Sequence, residues 1–301
     1  MESWTYINHD NINRVKYNAA LVRNVNQNSL YAQDFVWDAL HPGWDILISG
    51  DYKLVVPIPF KRKWGITSYR QPLFMRTIPL IGEFDTNSFQ QLCAVLEANS
   101  LIIHLNFPTR IEFESEENGV YQVLTLLDDI ESQRASYSTN TKRQLKRKQN
   151  DLVFDSEINP NEFISFFKRH VGFKYGKLTN ESYERLKNFI TMALERDLGT
   201  FTGVKKNEEF IAMAFFIDFN GVRYYIKGAA GDVARVEGAM FHLIDYGIAK
   251  AISKGLKTFD FVGSNAKGVS GFNKKFGAED EVYGILKSSS LIWPISKLIK
   301  P

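Results

Sequence analysis

Lys274 and Lys275 stand near the end of KTFDFVGSNAKGVSGFNKKFGAE, residues 257–279, behind a glycine-rich loop, a combination suited to holding an anion. Phe259 and Phe261 share one face of an alternating strand, which Gly263, Ser264 and Gly268 then break. Strand ends in α/β sheets commonly bind ligands, because main-chain amides point into a crevice there and glycine lets a ligand come close. A surface turn with solvated lysines has the same composition, and the spacing leaves both readings open.

A second cluster is YYIKGAAGDVARVEGAMFHLIDYGIAKA, residues 224–251. A strand ends in a small-residue turn, and RVEGAM is expected to open an amphipathic helix at about 236–253. The free amides of Val236 to Ala239 would then form a positive dipole end suited to a diphosphate. Gly238 and Ala239 would allow close approach and Arg235 would neutralise a phosphate oxygen. Helix packing would use the same small residues. Lys227, Gly263 and Ser264 are further phosphate or substrate candidates.

A third is KRQLKRK, where Lys142, Arg143, Lys146, Arg147 and Lys148 follow the capping-type residues Ser138, Thr139 and Asn140. At 100° per residue the basic side chains cover most of such a helix and Leu145 is its one apolar contact, so water or an anion must face it. A phosphate-rich partner would be held by Arg143 and Arg147 as forks and by Lys146 as a point charge.

Metal and covalent chemistry find little support. His9, His41, His104, His170 and His242 are scattered, and HxxxH, CxxC, GxSxG and Walker patterns are absent. Cys93 lies in the apolar run LCAVL and reads as a buried thiol. Transfer of an activated acyl group to an amine needs positioning, an oxyanion donor and a weak base, and fits what remains.

At 301 residues the chain has room for two domains. With 44% hydrophobic and 24% charged residues it reads as globular, and a net charge of only +3 means that phosphate affinity must come from local clusters. The amino terminus lacks a basic start and an apolar core, so the expectation is a cytoplasmic chain. No apolar run approaches the roughly 20 residues of a membrane span. The tail SLIWPISKLIKP is expected to pack on its own domain, with peripheral membrane contact as the alternative.

The elements that must position these residues form two similar sets. Residues 45–78 read as a strand meander, with Pro57 and Pro59 marking an edge or irregular strand. A helix at about 88–98 and a buried strand at 101–107 follow. From 131 come a basic helix, helices near 161–170 and 180–196, strands at 200–205, 209–219 and 222–228, the helix after the turn, TFDFVG and a last strand EVYGILKS. FQQLCAVLEANSLIIHLNF and GIAKAISKGLKTFDFVGS share a helix, turn and strand layout, which hints at duplication. The boundary is drawn in DDIESQ, giving domains 1–130 and 131–301.

YSTNTKRQLKRKQNDLVF at 137–154, the turn YYIKGAAGDVAR and FDFVGSNAKGVSGFNKKFGAE resemble, in order and spacing, the acetyltransferase-like domain of Fem-related members of the GNAT superfamily. The resemblance covers residues 131–287, and LVVPIPFKRKWGITSYRQPLF looks like the first half of such proteins. It implies two tandem GNAT-like domains of the α/β (α+β) class, each a mixed, mostly antiparallel sheet flanked by helices. It implies an N-acyltransferase moving an acyl group from acyl-CoA, acetyl-CoA for instance, to an amine acceptor such as a cell-envelope precursor, without metal. Arg235, Gly238 and Ala239 then lie where a GNAT pyrophosphate loop lies, and Asn140, Arg143 and Arg147 on the Fem-like basic helix.

In that reading the acceptor loses its proton through water to Glu237 or Asp260, and Tyr224 or Tyr225 protonates the leaving group. Backbone amides at the end of YYIKG hold the oxyanion. The chain departs from the pattern at Asn273, where a lysine usually follows the phenylalanine, and at Met240, where the loop usually ends on a small residue. It also lacks the long helical hairpin of many Fem enzymes. The alternatives are a Fem-like transferase using aminoacyl-tRNA and a non-catalytic protein that binds a phosphate ligand or a protein.

Overall fold

A computed structural model of the chain describes residues 3–63, 65–109, 117–147, 152–172, 178–262 and 267–289. Gly263, Ser264, Lys148 and the tail from residue 290 lie outside the described residues. The chain forms two compact units, Met1–Gly119 with Val282–Pro301, and Val120–Glu281.

The first unit runs β1 (Trp4–Ile7), α1 (Arg14–Arg23), α2 (Asp34–Leu40), β2 (Asp45–Ser49), β3 (Leu54–Ile58), β4 (Phe60–Lys63), β5 (Ile66–Arg70), α3 (Thr86–Asn99) and β6 (Ile102–Pro108). Strands β1, β2 and β3 form a three-stranded antiparallel sheet, and Pro57 is tolerated because β3 lies at its edge. Strand β5 pairs antiparallel with β4 and parallel with β6. Helix α3 opens on a capping box in which Asp85 and Ser88 satisfy each other's backbone N–H groups. Trp37, Trp44 and Tyr17 are fully buried at its core, with ring centroids 5.3 Å apart for Tyr17 and Trp44.

Strand β7 (Glu117–Thr125) carries the chain into the second unit. There follow α4 (Ile130–Ser136), α5 (Thr139–Lys146), β8 (Leu152–Asp155), α6 (Pro160–His170), α7 (Asn180–Leu194), β9 (Gly199–Lys206), β10 (Glu209–Phe219) and β11 (Val222–Ala230). Next come α8 (Asp232–Glu237), α9 (Ala239–Ser253), β12 (Thr258–Asp260) and α10 (Lys267–Lys274). Strand β13 (Glu279–Ser289) is the last described element, its residues 283–289 pairing antiparallel with β6 in the first unit.

The second unit is a mixed sheet flanked by helices, its strands ordered β7, β12, β11, β10, β9, β8, antiparallel except where β11 and β12 run parallel. Helix α9 buries Leu243, Ile244, Ile248 and Ala251 in one core cluster with Phe216, Phe259, Phe261 and Phe276. A parallel pair needs a crossover, and α8 and α9 supply it between β11 and β12.

Helix α5 is more firmly seated than a solvated basic helix. Ser138 caps it, accepting from Thr141 N–H at 3.2 Å. Thr141 is buried and its hydroxyl donates to the Lys275 carbonyl at 3.0 Å, while Leu145 packs against the core. Arg143, Lys146 and Arg147 remain exposed.

Candidate active site

Strands β11 and β12 pair only from Val222 with Thr258 to Tyr224 with Asp260. Beyond that point they part, and among the described residues no strand pairs with 225–230 on that side. On the other side Tyr225 faces Phe216 and Lys227 faces Phe215, so Ile226 is the extra residue of a bulge. A bulge removes backbone groups from the ladder, and a parting parallel pair leaves a crevice at the strands' carboxyl ends. A cavity of about 630 Å³ lies there, lined by residues 225–230 of β11, by Phe261 and Val262 after β12, and by α8, α9 and α10.

The walls are mostly apolar and aromatic. Phe241 and Phe272 meet edge to face with centroids 5.0 Å apart, and Tyr225 stands 5.6 Å from Phe216. Gly228 lets the Tyr225 ring lie close against the strand, since a Cβ there would sit 1.9 Å from the Tyr225 hydroxyl and force the ring to shift. Lys227 brings an amine into these surroundings, and burial pushes its ammonium down to about 8. Val262 holds φ at +58°, the left-handed region that a β-branched residue rarely adopts, and its N–H donates to Asp260 Oδ1 at 2.7 Å.

The helix end differs from the one expected. Val236 and Glu237 finish the short helix α8, Gly238 turns left-handed at φ +66°, and α9 begins at Ala239. The Gly238 N–H caps α8, so of the four amides expected at the dipole end only that of Ala239 belongs to the first turn of α9. Gly238 and exposed Arg235 line the cavity, with Arg235 also 3.3 Å from Asp232.

Of the residues singled out from sequence, the fold brings Tyr225, Lys227, Arg235 and Gly238 to the cavity wall. The other candidate catalytic and phosphate-binding residues that the structure describes are not among its lining residues. Glu237 pairs with Lys206 on β9 at 2.5 Å. Tyr224 is buried in β11 and Asp260 in β12, Ala239 is fully buried, and Val236 is 71% exposed. Lys274 pairs with Asp280 at 2.5 Å, and Lys275 Nζ lies 5.9 Å over the Phe241 ring. On α5, Asn140 accepts from Arg143 at 3.0 Å, and Arg147 donates to the Val236 carbonyl at 3.3 Å, tying this helix to the α8–α9 junction.

Phe241, Val262 and Asn273 are among the wall residues that the sequence does not mark as site residues. Phe241 reads as a core residue of an amphipathic helix, and nothing local marks Val262. In the sequence Asn273 stands out only as a departure from a motif.

Residues 132–272 match the family model of the acetyltransferase (GNAT) domain. No curated protein matches the sequence. Among solved structures, that of FemX is similar with a TM-score of 0.64 at 13% identity, over 96% of this chain and 98% of that one. A GNAT-family acetyltransferase from Colwellia psychrerythraea is similar with a TM-score of 0.58 at 10% identity, over 95% and 100%. L-PGS from Bacillus licheniformis is similar with a TM-score of 0.53 at 13% identity, over 95% and 94%. The chain therefore shares the fold of these proteins along nearly its whole length, and its second unit carries the segment that matches the GNAT domain.

Proposed function

We propose that this protein is an N-acyltransferase that moves an acyl group from an acyl-coenzyme A, acetyl-coenzyme A being the simplest, to an amine acceptor, with the site in the second of two tandem GNAT-like domains. The observation that carries this reading is the parting of β11 and β12 beside a bulge, which opens an apolar cavity next to the first turn of α9. Such a crevice suits an extended thioester: apolar walls hold the chain, while amides freed by the bulge hold the oxyanion. Gly238 and Arg235 suit the phosphate end.

The acceptor nitrogen, in its neutral form, attacks the thioester carbonyl carbon; the C–N bond forms and the C–S bond breaks. Lys227, whose proton affinity is lowered by burial, takes the proton from nitrogen, and the Tyr225 hydroxyl gives one to the leaving sulfur. Asp260 holds Val262 in the wall, and Glu237, tied to Lys206, holds the end of α8. The Fem-type resemblance makes a cell-envelope precursor in the cytoplasm the acceptor class to screen beside simple amines.

The test is thermal stability with acetyl-coenzyme A and with free coenzyme at fixed salt, followed by acetyl transfer to a panel of amines. Ligand at 100 times its Kd stabilises by about 2.7 kcal/mol. A shift plus acetylated product supports the reading; a flat melt and no product end it. The exposed Arg143, Lys146 and Arg147 on α5 favour a second reading, an aminoacyl-tRNA donor. That reading requires a tRNA affinity that falls steeply as salt rises.

A further inference from the structure

Asn273 is 1% exposed on the cavity wall, and its Oδ1 accepts no hydrogen bond among the described residues. A buried acceptor without a partner costs about 1–3 kcal/mol, so a native fold that keeps one at a cavity has something for it to meet.

The orientation of this amide is fixed by chemistry. Asp280 accepts from Lys274 Nζ at 2.5 Å and from Gln122 Nε2 at 3.0 Å. An ionised carboxylate only accepts, so Gln122 must turn its NH2 toward Asp280 and its carbonyl away. The hydrogen bonds from Lys274 and then from Gln122 hold the Asp280 carboxyl below the usual carboxylate range, which keeps it ionised at neutral pH. Gln122 is fully buried, and its Oε1 accepts from Asn273 Nδ2 at 3.1 Å. The Asn273 amide is thereby oriented too, with Oδ1 left over. A ligand presenting an acceptor would need both amides to turn, leaving the Asp280 and Gln122 oxygens face to face.

We infer that Asn273 is a specificity-determining residue that selects a ligand group bearing an N–H or O–H donor, because the Lys274–Asp280–Gln122 chain leaves Oδ1 as a lone acceptor. The inference rests on the acyltransferase reading for the identity of the ligand, and the donor is an amide N–H of the coenzyme or the acceptor's own nitrogen. Carboxylate or phosphate groups are disfavoured at this point of the wall.

The orientation is tested by hydrogen exchange of the Asn273 side-chain amide, followed by NMR. Slow exchange in the wild type, lost in Asp280→Asn, supports the relay. Exchange as fast as that of an exposed asparagine overturns it. Ligand selection is tested with Asn273→Leu by calorimetric titration of acetyl-coenzyme A and by initial rates with primary amines. A loss of about tenfold in coenzyme affinity assigns the donor to the coenzyme, the size of one hydrogen bond. Unchanged coenzyme binding with an acceptor KM raised about tenfold at constant kcat assigns it to the amine. No change in either, with an unchanged melt, overturns the inference. Should the leucine variant fail to fold, Asp280→Asn, altered at the outer end of the chain, must show the same losses. If the wild type neither binds coenzyme nor acylates any amine, the acyltransferase reading fails, and the exchange data alone decide the relay.

Discussion

Asp260 Oδ1 accepts the N–H of Val262 at 2.7 Å, and Val262 sits at φ +58° in the cavity wall, so a buried carboxylate at the end of a strand fixes a strained residue where the strands part. Asp260→Asn retains an acceptor and is expected to keep turnover within about threefold. Asp260→Ala loses a charged hydrogen bond, and about 1.5–3 kcal/mol of stability with it. Thermal melts and initial rates of the two variants check this. A loss of activity on the order of 100-fold in the asparagine variant would instead make Asp260 the proton acceptor.

Lys227 gives the site a pH dependence with a definite sign. If its neutral amine is the base, kcat/KM rises with pH through about 8 and then levels, and Lys227→Met removes that rise and lowers the rate about 100-fold. Folding responds too. Because the folded value lies below the ordinary 10.5, the unfolded chain holds more protons between about 8 and 10.5. Stability therefore climbs across that window. At pH 7 the Met variant should be more stable than wild type by about 1–3 kcal/mol, and the advantage should vanish near pH 10.5 in urea titrations.

Arg223 is 3% exposed in β11 and grips Asp218 with two bonds, Nε to Oδ1 at 2.6 Å and Nη2 to Oδ2 at 2.7 Å, while Nη1 donates to the Gly247 carbonyl at 2.9 Å. The pair links the base of β11 to α9. Arg223→Met leaves Asp218 with Lys254 alone, whose Nζ donates to Oδ2 at 2.7 Å, and should destabilise by about 1.5–3 kcal/mol, read by urea melts at pH 7. Burial raises the proton affinity of Asp218, but the bonds from Arg223 and Lys254 outweigh it and its pKa is lowered. Its contribution is thus complete above the ordinary carboxylate range and lost as pH falls through the lower folded value. The gap between wild type and variant should narrow in acid.

Gly228→Ala places a Cβ 1.9 Å from the Tyr225 hydroxyl and 2.8 Å from Cζ. The ring must swing, and with it a cavity wall. Activity should fall about 10- to 100-fold, with a stability loss of about 1–3 kcal/mol. Adding Tyr225→Phe removes the nearest atom and should recover part of the stability without recovering the rate. Melts and rates of the single and double variants check the coupling.

Much of the second unit is legible in the sequence because its signals are local. The alternation in TFDFVG, the apolar spacing of α9 and the capping residues before α5 depend on neighbours a few residues away. The helix expected from 236 instead starts at Ala239, because Gly238 takes a left-handed turn that neither the strand period nor the helix period reports. Lys274 and Lys275 stand out in the sequence by charge, yet Lys274 pairs with Asp280, and the neighbour that reaches the wall is uncharged Asn273.

By itself, then, the sequence determined the kind of elements, the mixed α/β class and the stretch from Tyr224 to Lys275 as the region to watch, since propensity, periodicity and turn chemistry act over short distances. Tertiary structure decided which of those side chains share a cavity. Asn273 is oriented by Gln122, 151 residues earlier in the chain. The opening between β11 and β12 exists because pairing stops at Tyr224 and Asp260, 36 residues apart, a limit no local pattern encodes.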